Sequence, residues 1–109
     1  LVSSESSRAG IPGSSHYTAS KAALEGFARS AMWEYGPRGI RINVVAPGST
    51  ETDMFAAVDD AHRQQLLART PLGRFAEAAE VAEVIAWVAQ STYLTGACIP
   101  VTGGEGLGY

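Results

Sequence analysis

The chain has 109 residues, of which 46% are hydrophobic and 17% charged, and its formal net charge is −3. This length is enough for one small domain with its own core, and the composition is that of an ordinary globular protein. The slight negative charge and the scattered Lys and Arg residues argue against nucleic acid as a partner. No apolar run is long enough to cross a bilayer, which argues against a membrane protein. Cys98 is the only cysteine, so an intrachain disulfide is excluded and a reducing, cytoplasmic location is expected.

A strand end and a loop precede the first predicted helix. The two apolar residues at positions 1–2 are typical of the end of a buried strand, and a Ser-, Gly- and Pro-rich loop continues to about Gly13. Ser14 or Ser15 is a suitable N-cap for the helix. The helix is predicted to run to about Tyr35, where Gly36-Pro37 ends it.

One face of this helix carries an apolar arc that we expect to be buried. Tyr17 and Lys21 lie at the N-terminal end of the arc, whereas Trp33 points away from it and indicates a second packing partner. The apolar members of the arc are Leu24, Phe27, Ala28, Ala31, Met32 and Tyr35.

The remaining pattern predicts a buried strand, two helices, a short strand and a glycine-rich tail. In chain order these are Gly39–Val45, about Asp59–Arg69, Phe75–Gln90, Ala97–Thr102 and Gly103–Tyr109. Pro100 indicates an edge position for the last strand. The order of the elements predicts a single α/β domain with a parallel sheet.

Two segments of the chain follow predicted strand ends and carry polar groups. Ser4 follows the first strand end, and residues 47–50 (Pro-Gly-Ser-Thr) follow the second. In parallel α/β sheets, ligands bind in a crevice beyond the carboxyl ends of the strands. We therefore expect both segments to line one ligand site.

Tyr17 and Lys21 are four residues apart, which places them on one helix face, one turn from each other. A free tyrosine titrates near pH 10, and a cation within a few ångströms favours the phenolate. A tyrosine beside a fixed lysine is therefore a suitable general acid or base. Taken alone, the spacing is also common on ordinary helix surfaces, and the neighbouring segments are needed to decide.

Four segments in this order resemble the short-chain dehydrogenase/reductase family. The first is V-S-S, with Ser4 thirteen residues before Tyr17, and S-K-A-A-L-E-G-F follows that tyrosine. The others are R-I-N-V-V-A-P-G-S-T-E-T-D-M at residues 41–54 and Y-L-T-G-A-C-I-P-V-T-G-G at residues 93–104. The resemblance implies the C-terminal part of a Rossmann-type, doubly wound parallel sheet. It also implies NAD or NADP as cofactor, a small-molecule carbonyl or alcohol as substrate, and a homodimer or homotetramer.

The resemblance assigns catalytic roles to three residues. Tyr17 would exchange a proton with the substrate oxygen, and Lys21 would bind the nicotinamide ribose and favour the phenolate. Ser4 would hydrogen-bond the substrate carbonyl or alcohol. Substrate contacts are expected from the least patterned segment, Thr52–Thr70.

The resemblance also implies a cofactor-binding loop after the second strand. Pro47, Gly48, Thr50 and Thr52 would hold the nicotinamide carboxamide and so fix which ring face meets the substrate. A strand-exit turn alone would also explain the Pro-Gly pair. Asn43 is implied as a structural hydrogen-bonding residue.

Part of the family pattern is not found in this sequence. Thr102 stands where members usually carry Asp, and neither the N-N-A-G segment nor the glycine-rich phosphate loop occurs in the chain. The glycines at 103–106 are no substitute, because no helix follows them to direct its N-terminus at a phosphate. We therefore expect residues 1–109 to be the C-terminal segment of a longer domain and to be inactive in isolation.

Three other interpretations are weaker. A non-catalytic scaffold or association module would not need Ser4, Tyr17 and Lys21. A hydrolase with a Thr18-x-x-Lys21 nucleophile lacks the partner motifs of such enzymes. No metal site is expected, since the two histidines and the single cysteine show no ligand spacing.

Overall fold

The computed structural model describes residues 1–106, so residues 107–109 of the predicted glycine-rich tail lie outside the description. The helices among those residues are α1 Ser6–Ala9, α2 Ser15–Tyr35, α3 Asp53–Ala56, α4 Asp60–Ala68 and α5 Ala78–Gln90. The strands are β1 Val44–Pro47, β2 Thr50–Glu51, β3 Ala76–Glu77 and β4 Cys98–Val101, and a 3-10 turn covers Gly36–Arg38. The predicted helices and strands are present, α2 at its predicted bounds and the others at shifted ones, whereas α1, α3, β2 and β3 are additional. None of these helices combines the length and the apolar composition needed to cross a membrane.

Strand β1 lies between two parallel neighbours. On one side it pairs with β4, with Val44 opposite Cys98. On the other side Val2 forms a parallel bridge with Val45, in agreement with the strand end predicted at positions 1–2. The predicted α/β fold with parallel strands is confirmed. Within the described residues β4 pairs with β1 alone, which is the edge position that Pro100 indicates.

The strand predicted at Gly39–Val45 begins only at Val44, and side chains contribute hydrogen bonds to the residues before it. The Asn43 amide donates to the Leu94 carbonyl at 2.8 Å and accepts from the Ala97 N–H at 3.1 Å. The guanidinium of Arg41 donates to Leu94 and to carbonyl groups at the C-terminal end of α5. Asn43 therefore has the structural role that the family resemblance implies.

Helix α2 buries part of the predicted apolar arc, since both alanines of the arc are buried. Phe27 is 56% exposed, so its predicted burial is wrong. Glu25, which is not part of the arc, is buried as well. Small alanines let the helix approach the strand end closely, and the Glu25 carboxylate is tolerated because the hydroxyls of Ser3 and Ser7 donate to it.

Helix α5 begins at Ala78 rather than at the predicted Phe75, since the two residues before it form β3 and pair in parallel with β2. Glu77 and Glu80 form a capping box at this helix start. Both oxygens of Glu80 also accept hydrogen bonds from the Arg74 guanidinium, at 2.7 and 2.8 Å. The Glu80 carboxylate thus stabilises the start of α5 by binding both the Arg74 guanidinium and the Glu77 backbone N–H.

The apolar core lies between α5 and the strands. Val45, Val81 and Val88 form the buried cluster, and Leu94 and Ile99 are among the residues packed against it. Burying one such side chain contributes roughly 1.5–3 kcal/mol. This core fixes α5 on one side of β1.

We predict that the charge on Glu80 contributes pH-dependent stability. The Arg74 hydrogen bonds, followed by the Glu77 backbone N–H, lower the pKa of Glu80 from its ordinary value of 4.5 to about 2. A lowered folded-state pKa gives stability that is fully present above the ordinary value and is lost as the pH falls through about 2. Glu80→Gln keeps the capping geometry but removes the charge.

The test is urea unfolding of the protein across this acid range. Glu80→Gln should be less stable than the wild type near neutrality, and the difference should close as the pH approaches about 2. Glu83→Gln, on the exposed side of α5, is the matched control. If the free energy of unfolding differed between the wild type and Glu80→Gln by the same amount at every pH, the prediction would be contradicted.

Candidate active site

A cavity of about 910 Å³ opens at the carboxyl end of β1. The seven residues that the sequence predicts for catalysis and cofactor binding all line it: Ser4, Tyr17, Lys21, Pro47, Gly48, Thr50 and Thr52. They come from three separate segments of the chain, namely the loop before α1, the start of α2 and the exit of β1. The structure therefore brings the predicted groups to one place.

Backbone hydrogen bonds beside β1 explain how these segments meet. The Ser3 N–H donates to the Val45 carbonyl at 2.8 Å, and the Glu5 N–H donates to the Pro47 carbonyl at 2.8 Å. Ser4, between these two contacts, is thereby held next to the exit of β1. Its place in the cavity follows from the ladder and not from side-chain packing.

Lys21 ties the start of α2 to the same strand end. Its ammonium Nζ donates to the Val2 carbonyl at 3.1 Å, and its own backbone carbonyl accepts from the Ser3 hydroxyl at 3.0 Å. Nζ lies 5.7 Å from the centroid of the Tyr17 ring, which is 38% exposed. An ammonium has three N–H groups, and among residues 1–106 Lys21 Nζ has one acceptor, the Val2 carbonyl. The remaining donors can serve a ligand in the cavity.

The hydroxyl of Ser4 is arranged as a donor. Its oxygen accepts from the Ser6 backbone N–H at 3.2 Å and from the Ser6 hydroxyl at 3.0 Å. With two bonds accepted, its own O–H remains available to donate to an oxygen in the cavity. Of the neighbouring serines, Ser3 also lines the cavity, but its hydroxyl donates to the Lys21 carbonyl and to Glu25.

The loop that leaves β1 is tightly constrained. A Cβ on Gly48 would lie 2.9 Å from Glu105 Oε2 and 3.0 Å from Thr102 Cα, so only glycine fits there. The Thr50 hydroxyl donates to the Gly48 carbonyl at 3.0 Å. Thr52 is the N-cap of α3, and its oxygen accepts from a backbone N–H at 3.2 Å. The Thr52 O–H can therefore donate to a group in the cavity.

Part of the cavity wall is apolar, although His62, Gln65 and Arg69 also line the cavity. Most of it comes from the predicted substrate segment Thr52–Thr70, with two residues from the loop before α2. The apolar lining side chains are Ile11, Pro12, Met54, Phe55, Val58 and Leu66. The cavity can therefore take a ligand that has both polar and apolar parts.

Two acidic residues of the cavity were missed by sequence reasoning. Glu5 and Glu105 both line it, and Glu105 is buried. Burial, followed by repulsion from Glu105, raises the pKa of Glu5, and nearby Arg69 opposes the shift. Glu5 Oε1 is buried and has no hydrogen-bond partner among residues 1–106. For Glu105, the only available signal was a charged residue within a run of glycines, a pattern that is also typical of a solvated tail.

Comparison with known proteins identifies relatives over nearly the whole chain. The family model described as enoyl-(acyl carrier protein) reductase matches residues 1–105. The 3-oxoacyl-(acyl-carrier-protein) reductase of Pseudomonas aeruginosa is 45% identical over 97 residues, which cover 87% of this chain and 39% of that protein. Carbonyl reductase family member 4 of Danio rerio is 47% identical over 96 residues, which cover 87% of this chain and 39% of that protein. The chain thus spans about two-fifths of the length of these curated relatives.

Solved structures agree with these sequence matches. A 3-oxoacyl-(acyl-carrier protein) reductase from Brucella melitensis superposes with a TM-score of 0.91 at 34% identity, over 98% of this chain and 41% of that one. A small-chain dehydrogenase in complex with NADPH superposes with a TM-score of 0.87 at 31% identity, over 99% of this chain and 50% of that one. The fold described above is therefore part of a larger fold in both proteins.

We predict that Glu5→Gln stabilises the protein near neutral pH. A carboxyl group with a raised folded-state pKa is unfavourable when ionised, so its stability contribution is lost as the pH rises through that pKa. Removing the ionisable group should raise the urea concentration at the midpoint of unfolding at pH 7. This increase should disappear at pH values below 4.5, the ordinary pKa of a glutamate. Glu51→Gln, which loses an ion pair with Arg63 instead, should have the opposite effect at pH 7. Destabilisation by Glu5→Gln at pH 7 would contradict the prediction.

Proposed function

Because the chain belongs to the short-chain dehydrogenase/reductase family, we propose that it forms the catalytic and nicotinamide-side part of an NAD(P)-dependent oxidoreductase. The observation that carries the proposal is the convergence of Ser4, Tyr17, Lys21 and the loop 47–52 on one cavity of about 910 Å³. The substrate is a small carbonyl compound or the corresponding alcohol.

Tyr17 acts as the acid in carbonyl reduction. The bound nicotinamide supplies the hydride to the carbonyl carbon when the substrate is reduced. The Tyr17 hydroxyl then gives its proton to the substrate oxygen, and in the reverse direction the phenolate removes it. Ser4 donates its free O–H to the same oxygen. The Lys21 ammonium beside the ring stabilises the phenolate by charge.

The residues present fit the nicotinamide end of the cofactor. Lys21 keeps N–H donors free for ribose hydroxyls, and the Thr52 O–H is free to donate to a carboxamide oxygen. The backbone of Pro47-Gly48 approaches the cavity without an intervening side chain at Gly48. One structural neighbour is a complex with NADPH, which supports a dinucleotide of this class.

The lining of the cavity supports a substrate class for this proposal. Ser4 and Tyr17 supply two hydroxyl groups suited to one oxygen, which favours reduction of a C=O bond over a C=C bond. The apolar wall suits an acyl or alkyl body, and relatives named as 3-oxoacyl reductases are consistent with this. Turnover of a 3-oxoacyl thioester, but not of the matching enoyl thioester, is the outcome expected for the full-length polypeptide.

The dinucleotide phosphates are bound by a separate nucleotide-binding half in this proposal. The chain spans 39% of the Pseudomonas aeruginosa relative, and the catalytic groups above belong to that share. Residues 1–109 alone should therefore bind NAD(P)H feebly and remain inactive. The rival is a non-catalytic scaffold, against which the placement of Ser4, Tyr17 and Lys21 in a single cavity argues.

We predict that the full-length polypeptide self-associates through the outer faces of α2 and α5. Trp33 on α2 is 76% exposed and Trp87 on α5 is 58% exposed, although tryptophan usually finds a partner surface. Sedimentation should give a dimer or tetramer, and Trp33→Glu or Trp87→Glu should shift it toward monomer. A wild type that is only monomeric at micromolar concentration would refute the prediction.

Substitutions in the catalytic group should separate chemistry from cofactor binding. Tyr17→Phe removes the proton donor and should lower turnover about 10²–10⁴-fold while cofactor affinity survives. Lys21→Met should impair both, because Lys21 has a role in each. Ser4→Ala should lower turnover with little effect on cofactor affinity.

Steady-state kinetics and cofactor titration of the full-length variants check these outcomes. Tyr35→Phe is the matched control, since this tyrosine lies on the same helix but does not line the cavity. Near-normal turnover in Tyr17→Phe would show that the proton travels by another group.

A further inference from the structure

Glu105 is a buried carboxylate to which the proposed reaction gives no role. It is only 5% exposed and comes from the glycine-rich segment after β4. Its Oε2 accepts from the Ser49 backbone N–H at 2.8 Å, and its Oε1 accepts from the Ser49 hydroxyl at 3.1 Å. Both oxygens therefore serve a single residue of the loop that leaves β1.

The Ser49 peptide is held from both sides. Glu105 binds its N–H, and the Ala76 N–H at the start of β3 donates to its carbonyl at 3.1 Å. Thr50 comes next, pairs with Ala76 and donates its hydroxyl to the Gly48 carbonyl. The orientation of Thr50 in the cavity is thus set by how Ser49 is fixed.

The turn that carries Glu105 leaves the carboxylate little freedom. The Glu105 N–H donates to the Thr102 carbonyl at 3.1 Å, and the Thr102 hydroxyl oxygen accepts from the Gly104 N–H at 3.2 Å. Thr102 thereby holds the turn, although family members usually carry Asp at this position. Gly104 has a φ of 92°, and a Cβ there would lie 2.6 Å from Pro71 Cγ. The turn is packed against the segment after α4 and cannot follow a displaced loop.

We propose that Glu105 is a positioning residue for the nicotinamide-side loop 47–52. By holding the Ser49 peptide, it keeps Thr50 and Thr52 in the orientation that presents one face of the nicotinamide ring to the substrate. The inference rests on the proposed function, since it assigns a role within that site. Glu105 acts through Ser49 and does not itself touch cofactor or substrate.

The length of the Glu105 side chain, and not its charge, carries this role. Glu105→Gln keeps an acceptor at the same distance for the Ser49 N–H, and the Ser49 hydroxyl can rotate to accept from the new amide group. Glu105→Asp keeps the charge but withdraws the carboxylate by one methylene, so the Ser49 contacts are lost. The two variants separate hydrogen-bond geometry from electrostatics.

The experiment compares both variants with the wild type in the full-length polypeptide. We measure KM for the reduced dinucleotide that supports turnover, and the ring face that gives the hydride, using cofactor deuterated at either face of nicotinamide C4. Glu105→Asp should raise the cofactor KM about tenfold, because the hydrogen bonds that fix Ser49 are lost, and should lower facial selectivity. Glu105→Gln should stay close to the wild type in both measurements.

Glu83→Asp, at an exposed position on α5, is the matched control for shortening a glutamate. A purely structural role would lower the folded fraction without changing the facial selectivity of the molecules that remain folded. Unchanged cofactor KM and facial selectivity in Glu105→Asp would overturn the inference, as would equal damage from Glu105→Gln. A wild-type polypeptide without dinucleotide-dependent turnover would instead refute the proposed function itself.

Discussion

The hydrogen bonds on the two sides of β1 are the constraint on which the site depends. On one side, the N–H groups of Ser3 and Glu5 donate to its carbonyls, and on the other the Gly48 N–H donates to the Val101 carbonyl at 3.0 Å. Since the neighbouring strands are parallel to β1, their carboxyl ends meet at the same edge. The proposed catalytic serine, the cofactor loop and the Glu105 turn are adjacent because each follows one of these strand ends.

Helix α2 is docked against this edge by polar contacts as much as by apolar ones. Lys21 is held through both its backbone and its side chain. Its carbonyl accepts from the Ser3 hydroxyl, and its ammonium donates to the Val2 carbonyl. One turn further along, Glu25 is buried against the hydroxyls of Ser3 and Ser7. A buried carboxylate is costly unless it is hydrogen-bonded, so this arrangement specifies one depth and rotation for the helix. Tyr17 takes its position from that rotation.

The parts of this structure that sequence reasoning captured are those encoded by local pattern. The predicted helix Asp59–Arg69 is observed as Asp60–Ala68 because Asp59 caps it, accepting from His62 N–H. The parts that were missed depend on distant partners. Strand β3 exists only because β2 lies beside it. Phe27 is exposed while Glu25 is buried, since the hydroxyls of Ser3 and Ser7 bind the Glu25 carboxylate. Glu105 could not be assigned in advance, since nothing local to a glycine-rich run indicates that its carboxylate meets Ser49.

The central claim is that the Tyr17 hydroxyl gives its proton to the substrate oxygen during hydride transfer. The most direct measurement is the solvent deuterium isotope effect on single-turnover carbonyl reduction, compared between the wild-type full-length polypeptide and Tyr17→Phe. The account predicts a normal isotope effect in the wild type that is lost from the residual reaction of Tyr17→Phe. The same isotope effect in both proteins would show that the proton comes from another donor and would contradict the account.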